Sequence, residues 1–156
     1  MASCLVWSLR DTGRVMAEES TAPDLVELTR QAVTALGRRD LDACMGFFAA
    51  DAIWDASQTA VGTFEGRVAI RAFLEDWVGV YEEYEMEAEA ILNLGQGIVF
   101  SVNHQSARLA GSEGRVRETY AVTFEFGSAG LITLVRVAQD VDTARVAAER
   151  LAEERG

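Results

Sequence analysis

Around Tyr81 the spacing of apolar residues in this chain changes, and that change dictates the class of fold. Upstream, Ile70, Phe73, Leu74, Trp77, Val78 and Tyr81 recur at the three-and-four spacing of one helix face. Downstream, in Tyr84-Glu85-Met86-Glu87-Ala88-Glu89-Ala90-Ile91-Leu92, apolar residues alternate with glutamate until Ile91, the pattern of a half-buried strand. A long helix with a wide apolar face needs a sheet to lie on, so the chain reads as α+β with helices first and strands after. Gly62-Thr63-Phe64-Glu65-Gly66-Arg67, a glycine-punctuated turn, leads into that helix, which extends to about Glu83.

The earlier segment predicts two more helices. One runs from about Pro23 to Gly37, with Thr21 and Asp24 spaced as a capping box, Leu25, Leu28, Ala32 and Leu36 as its buried stripe and Gly37 to end it. The next starts after Asp40, a good N-cap, and turns Leu41, Cys44, Phe47 and Phe48 inward. A short strand, Ala52 to Asp55, follows. Beyond the long helix, Gly95-Gln96-Gly97 predicts a hairpin into a strand from Ile98 to Leu109. Further strands cover Val116 to Phe126 and Leu131 to Ala138, and an amphipathic helix from Thr143 to Glu154 closes the chain on the surface. The sum is a curved, mainly antiparallel sheet wrapped on about three N-terminal helices, with a short C-terminal helix. Such a cone leaves a pocket between helices and sheet.

Residues 23–156 are expected to form one domain. Residues 1–22 lack sustained periodicity and are expected to be a disordered or non-native extension, with Met16 as the natural start. The first ten residues are too short and too weakly patterned to be expected to act as a signal peptide, and their charge follows the apolar run.

Composition narrows the chemistry. A net charge of −11 argues against nucleic acid, which rewards basic surfaces. No apolar run approaches the ~20 residues of a membrane span. All 14 basic residues are arginine, so Schiff-base lysine chemistry and a phosphate-loop lysine are excluded. The single histidine, His104, and the wide spacing of Cys4 and Cys44 argue against a zinc site, and no metal or cofactor is expected. Two cysteines without a framework suggest a cytoplasmic setting, with Cys44 a buried, inert thiol.

Three stretches carry a resemblance. They are Arg39-Asp40-Leu41-Asp42-Ala43, Phe48-Ala49-Ala50-Asp51-Ala52-Ile53-Trp54-Asp55, and Gly62 to Arg67 with Ile70-Arg71-Ala72-Phe73-Leu74 behind it. On these the chain resembles the NTF2-like superfamily, most closely its SnoaL-like branch, over roughly residues 24–145. The resemblance implies a cone-shaped fold, a small apolar or polycyclic ligand and a homodimer. It implies no single activity, since this fold hosts isomerases, cyclases, dehydratases and non-catalytic modules. Matched without gaps around Asp40 and Asp51, the tyrosine and two aspartates that serve the ketosteroid isomerase branch fall on Ala32, Ala56 and Val122, so that mechanism is not expected here. SnoaL-type polyketide cyclases place a histidine on the strand that holds His104, and their partnering aspartate again falls near Val122.

Strand parity nominates the site. Ile98, Phe100 and Val102 share a face with His104, Ser106 and Arg108, and Val122 and Phe124 share one with Glu118 and Tyr120. If both apolar faces look into the cone, His104, Arg108, Glu118 and Tyr120 meet there and suit proton transfer beside a carbonyl. His104 or Glu118 would be the base, and Tyr120 or Arg108 would stabilise an enolate. The plainer alternatives are an Arg108–Glu118 ion pair, a histidine that is only hydrogen-bonded, and Tyr120 as a core aromatic. With Ala56 pointing inward, Trp54 becomes a pocket wall and Asp55 faces away; Asp55 as base needs the opposite register. Tyr81, Tyr84 and Met86 are expected to line the same cavity, and Glu85, Glu87 and Glu89 to form a solvated outer row. A non-catalytic ligand-binding or dimerisation module is the rival reading.

Overall fold

Three aspartates start three of the helices. In a computed structural model that describes residues 23–156, Asp24 caps α1 (Leu25–Gly37) by accepting from the Glu27 N–H at 3.1 Å. Asp40 does the same for α2 (Leu41–Met45) and Asp140 for α4 (Val141–Arg155). The fourth, α3 (Arg67–Gly79), has no side-chain cap. Gly66 takes that position at φ 92°, and its N–H donates to the Ala52 carbonyl at 2.7 Å, tying the helix start to the sheet. Thr21, the start at Met16 and the expected N-terminal extension lie outside the described residues.

The sheet has six strands: β1 (Phe48–Ala56), β2 (Gly62–Glu65), β3 (Tyr81–Gly95), β4 (Ile98–Leu109), β5 (Arg115–Phe126) and β6 (Ile132–Ala138). Their order is β2-β1-β6-β5-β4-β3, antiparallel throughout except for the parallel pair of β1 and β6. Three boundaries differ from the sequence reading. Phe48 opens β1 rather than ending α2. The stretch before α3 is a strand, pairing Phe64 with Trp54, too short for its alternation to show between two glycines. Finally, α3 stops at Gly79, and Tyr81, placed on its apolar stripe by spacing, instead begins β3 opposite Leu109, where an aromatic residue suits a pleated surface.

The principal core lies between the cone face of the sheet and helices α1, α2 and α3. Phe48, Ile70, Leu74, Val99 and Val135 are at most 2% exposed there. A second core lies on the opposite face, where Ala148 and Ala152 of α4 cover Ile98 and Phe100 of β4 and Ala121 of β5. The terminal helix is thus a lid on the sheet's outer face, pinned by an Arg155–Glu125 ion pair at 2.5 Å. No helix among the described residues is long and apolar enough to cross a membrane.

Candidate functional site

Side chains from every main layer converge on one cavity. Tyr84 and Met86 of β3, Asn103 and Gln105 of β4, and Tyr120, Val122 and Phe124 of β5 form its sheet wall. Trp54 of β1 and Leu36, Phe73 and Trp77 of the helices form the rest. About 80 Å³ is open to the centres of water-sized groups, several times the roughly 10–15 Å³ that one water needs. Ring contacts build the wall: Trp54 lies 5.9 Å from Phe73, Phe73 lies 5.8 Å from Trp77, and Phe64 stacks behind Phe73 at 4.3 Å. Among the described residues, no charged side chain lines this space.

Its polar atoms are few and fixed. Trp77 Nε1 donates to Gln105 Oε1 at 3.1 Å, and the Tyr84 hydroxyl donates to the same oxygen at 3.0 Å. An indole N–H can only donate, so it determines which way the amide points. Among the described residues, Gln105 Nε2 has no hydrogen-bond partner, on a residue 1% exposed. Asn103 Oδ1, two residues away on the same face, is also unpartnered. Burial pushes the Tyr84 phenol well above its ordinary range, keeping it a donor.

At the same face, the Tyr120 hydroxyl donates to Glu118, which stands opposite Gln105 in the β4–β5 register. Burial first, then the hydrogen bond to Glu118 and its charge, push the Tyr120 phenol up. Tyr81 stacks on Tyr84 at 5.8 Å rather than lining the cavity, and burial and the Glu118 charge raise its phenol too. Trp54, Tyr84, Met86, Tyr120 and Val122 do line the cavity.

Two expected members stand elsewhere. His104 is on the outer face, its Nδ1 2.9 Å from the Thr119 hydroxyl and its Nε2 bonded to Glu89. Arg108 shares that face and pairs with Glu82 at 2.8 Å and Glu83 at 3.0 Å, not with Glu118. The outward placing of His104 and Arg108, against the expected inward one, follows from α4. Because α4 covers the outer face, Ile98 and Phe100 are buried there, so the even-numbered apolar residues mark the footprint of α4. The cavity face of β4 is the odd-numbered set of Val99, Asn103, Gln105 and Ala107, which puts Asn103 and Gln105, rather than His104 and Arg108, on the cavity side. Asp55 also faces away, accepting from the Ser57 hydroxyl at 2.6 Å and the Ser57 N–H at 3.0 Å, with Arg136 3.5 Å distant. Those partners, Ser57 foremost, hold its carboxyl below the usual range.

A helix-filled cone of this topology with one apolar cavity defines an NTF2-like domain. Residues 29–135, from α1 to β6, match the SnoaL-like domain family, and the chain belongs to it. No curated protein matches the chain. Solved structures share the fold at low identity. A hypothetical protein with a ketosteroid isomerase-like fold from Catenulispora acidiphila, in complex with trimethylamine, is 17% identical over 75% of this chain and 85% of its own, with a TM-score of 0.63. TerC, co-crystallised with polyporic acid, is 13% identical over 80% of this chain and 98% of its own, at 0.65. An LEH-like epoxide hydrolase from M. tuberculosis is 18% identical over 81% and 90%, at 0.63.

Proposed function

We propose that this SnoaL-like domain binds a small, mostly apolar and uncharged molecule inside its cone. The aromatic cavity carries the reading: Phe73 packs against both Trp54 and Trp77 around a space that, among the described residues, only uncharged side chains line. Such a site gains affinity from apolar burial and leaves an ionised ligand without a counter-charge. That the Catenulispora protein and TerC each hold a small molecule supports small-ligand binding in this fold, though not the ligand's charge. Native mass spectrometry of the purified protein is the test, since it reports a retained small molecule and, for the homodimer expected of the family, the subunit count. A retained apolar adduct, or quenching of Trp54 and Trp77 fluorescence by cyclic ketones, is the expected result. An empty protein that is unchanged by such a panel overturns the reading.

The Glu118–Tyr120 hydrogen bond favours a second, catalytic reading of the same site. In this reading the ligand extends from the cavity past Tyr120 to Glu118, which lies beyond the lining. Glu118 takes a proton from a carbon beside the ligand's carbonyl, and Tyr120 orients the carboxylate, as isomerase, cyclase or dehydratase chemistry requires. Without measurable proton transfer, the domain is a carrier.

A further inference from the structure

We infer that Gln105 is the donor that selects the ligand, and that the ligand is a neutral molecule presenting an acceptor oxygen of the carbonyl type to the Gln105 amide. This rests on the cone-binding reading above and names the chemical class it admits.

The argument begins with an unsatisfied group. Buried side-chain amides are nearly always hydrogen-bonded, and one left unpaired costs stability. Gln105 has one half of its amide doubly satisfied, by Trp77 and Tyr84, and the other half free at 1% exposure. Turning the amide over does not remove the orphan, because Nε2 would then face the Trp77 N–H, donor against donor. Trp77 comes from α3 and Tyr84 from β3, so helix and sheet together hold the free N–H₂ in place before any ligand arrives. Such pre-set donors lower the ordering cost of binding.

The surroundings decide the rest. Among the described residues, the lining offers no counter-charge to a carboxylate or an ammonium ion, whereas a ketone, ester or similar oxygen finds a donor on an otherwise apolar wall. Asn103, with its own Oδ1 unpartnered on the same strand face, gives the ligand a second polar contact through a hydroxyl group. In the register, Glu118 lies across from Gln105, so an oxygen held by the amide sits on the side of the sheet that carries the carboxylate.

A matched pair of probes tests this: cyclohexanone and methylenecyclohexane, which differ in an exocyclic oxygen against a CH₂ group. Titration with each is followed through the side-chain amide signals of ¹⁵N-labelled protein. Cyclohexanone is expected to bind about tenfold more tightly, the value of one hydrogen bond, and to move the Gln105 N–H₂ signal downfield. Gln105→Met removes the donor at the same side-chain length and is expected to bring the ratio close to one. The wild-type amide signal needs no variant and stands if that one fails to fold. Equal affinities with an unmoved Gln105 signal overturn the inference and leave the cavity as a purely apolar site. So does tighter binding of cyclohexanecarboxylate or cyclohexylamine than of the ketone. If neither probe binds, the cone-binding reading falls, and this inference with it.

Discussion

His104 and Glu118 stand one register step apart on neighbouring strands and point to opposite faces of the sheet. Glu118 is opposite Gln105 on the cavity side, and His104 is opposite Thr119 on the outside. An imidazole and a carboxylate so placed point away from each other, which separates two variants cleanly. Exchange of cyclohexanone α-protons with D₂O, followed by NMR, is expected to slow about a hundredfold or more in Glu118→Gln, the usual contribution of a positioned base. His104→Ala is expected to stay within about twofold of the parent. A loss of similar size in both variants would return the histidine to the site.

Asp55 is expected to contribute stability that depends on pH. Ser57, through its hydroxyl and then its N–H, and more weakly Arg136, hold the folded carboxyl below its ordinary value of 3.8. A folded value lower than the unfolded one means stabilisation that is complete above the ordinary value and is lost as pH falls through the lowered one. Asp55→Asn is therefore expected to lose about 1 kcal/mol near pH 7 and progressively less in acid. Urea unfolding at a series of pH values checks this, and a difference that does not shrink on acidification counts against it.

The helices and the hairpin were legible because each leaves a local trace. Leu25, Leu28, Ala32 and Leu36 keep helical spacing, and Gly95-Gln96-Gly97 followed by alternation gives β4 its observed bounds, Ile98–Leu109. Trp54 inward and Asp55 outward likewise follow from alternation past Ala56. The cavity face of β4 was not legible, because Ile98, Val99, Phe100 and Ser101 are all buried and a strand covered on both sides has no polar face to orient it. What resolves the parity is α4 lying over Ile98 and Phe100, a contact between distant parts of the chain. The parallel pairing of β1 with β6 is long-range in the same way and leaves no local pattern.

Cys44 is expected to be inert in the folded protein. Burial, with the charge of Asp40 adding, pushes its thiol up to about 12 from 9.0, so the reactive thiolate is scarce at neutral pH. Iodoacetamide at pH 8 is expected to modify Cys44 about a thousandfold more slowly than a free cysteine, read at the peptide level by mass spectrometry. In urea the difference should vanish. Rapid native alkylation would mean that the cavity, which Cys44 helps to line, opens to reagents.

Gly37 supplies a test of how closely helix and sheet approach at the cavity wall. Its position at the end of α1 suggested a glycine cap, yet it is a helical residue, and Arg39 at φ 60° takes the left-handed conformation instead. The reason for glycine is space: a Cβ there would lie 2.7 Å from the Met86 carbonyl oxygen and 3.3 Å from its nitrogen. Backbone cannot yield as a flexible side chain does, so Gly37→Ala must push α1 off β3 beside Leu36 and Met86, two cavity residues. Alanine's helix preference returns about 1 kcal/mol, against an overpacking cost of about 1–3 kcal/mol, so the net effect is destabilising. Gly79 ends α3 with nothing within 4 Å of an added Cβ, and Gly79→Ala is expected to stabilise by up to about 1 kcal/mol. Chemical denaturation of the two variants should therefore give shifts of opposite sign, with cyclohexanone affinity reduced only in Gly37→Ala. A shared sign would show that helix propensity, rather than the contact with Met86, governs Gly37.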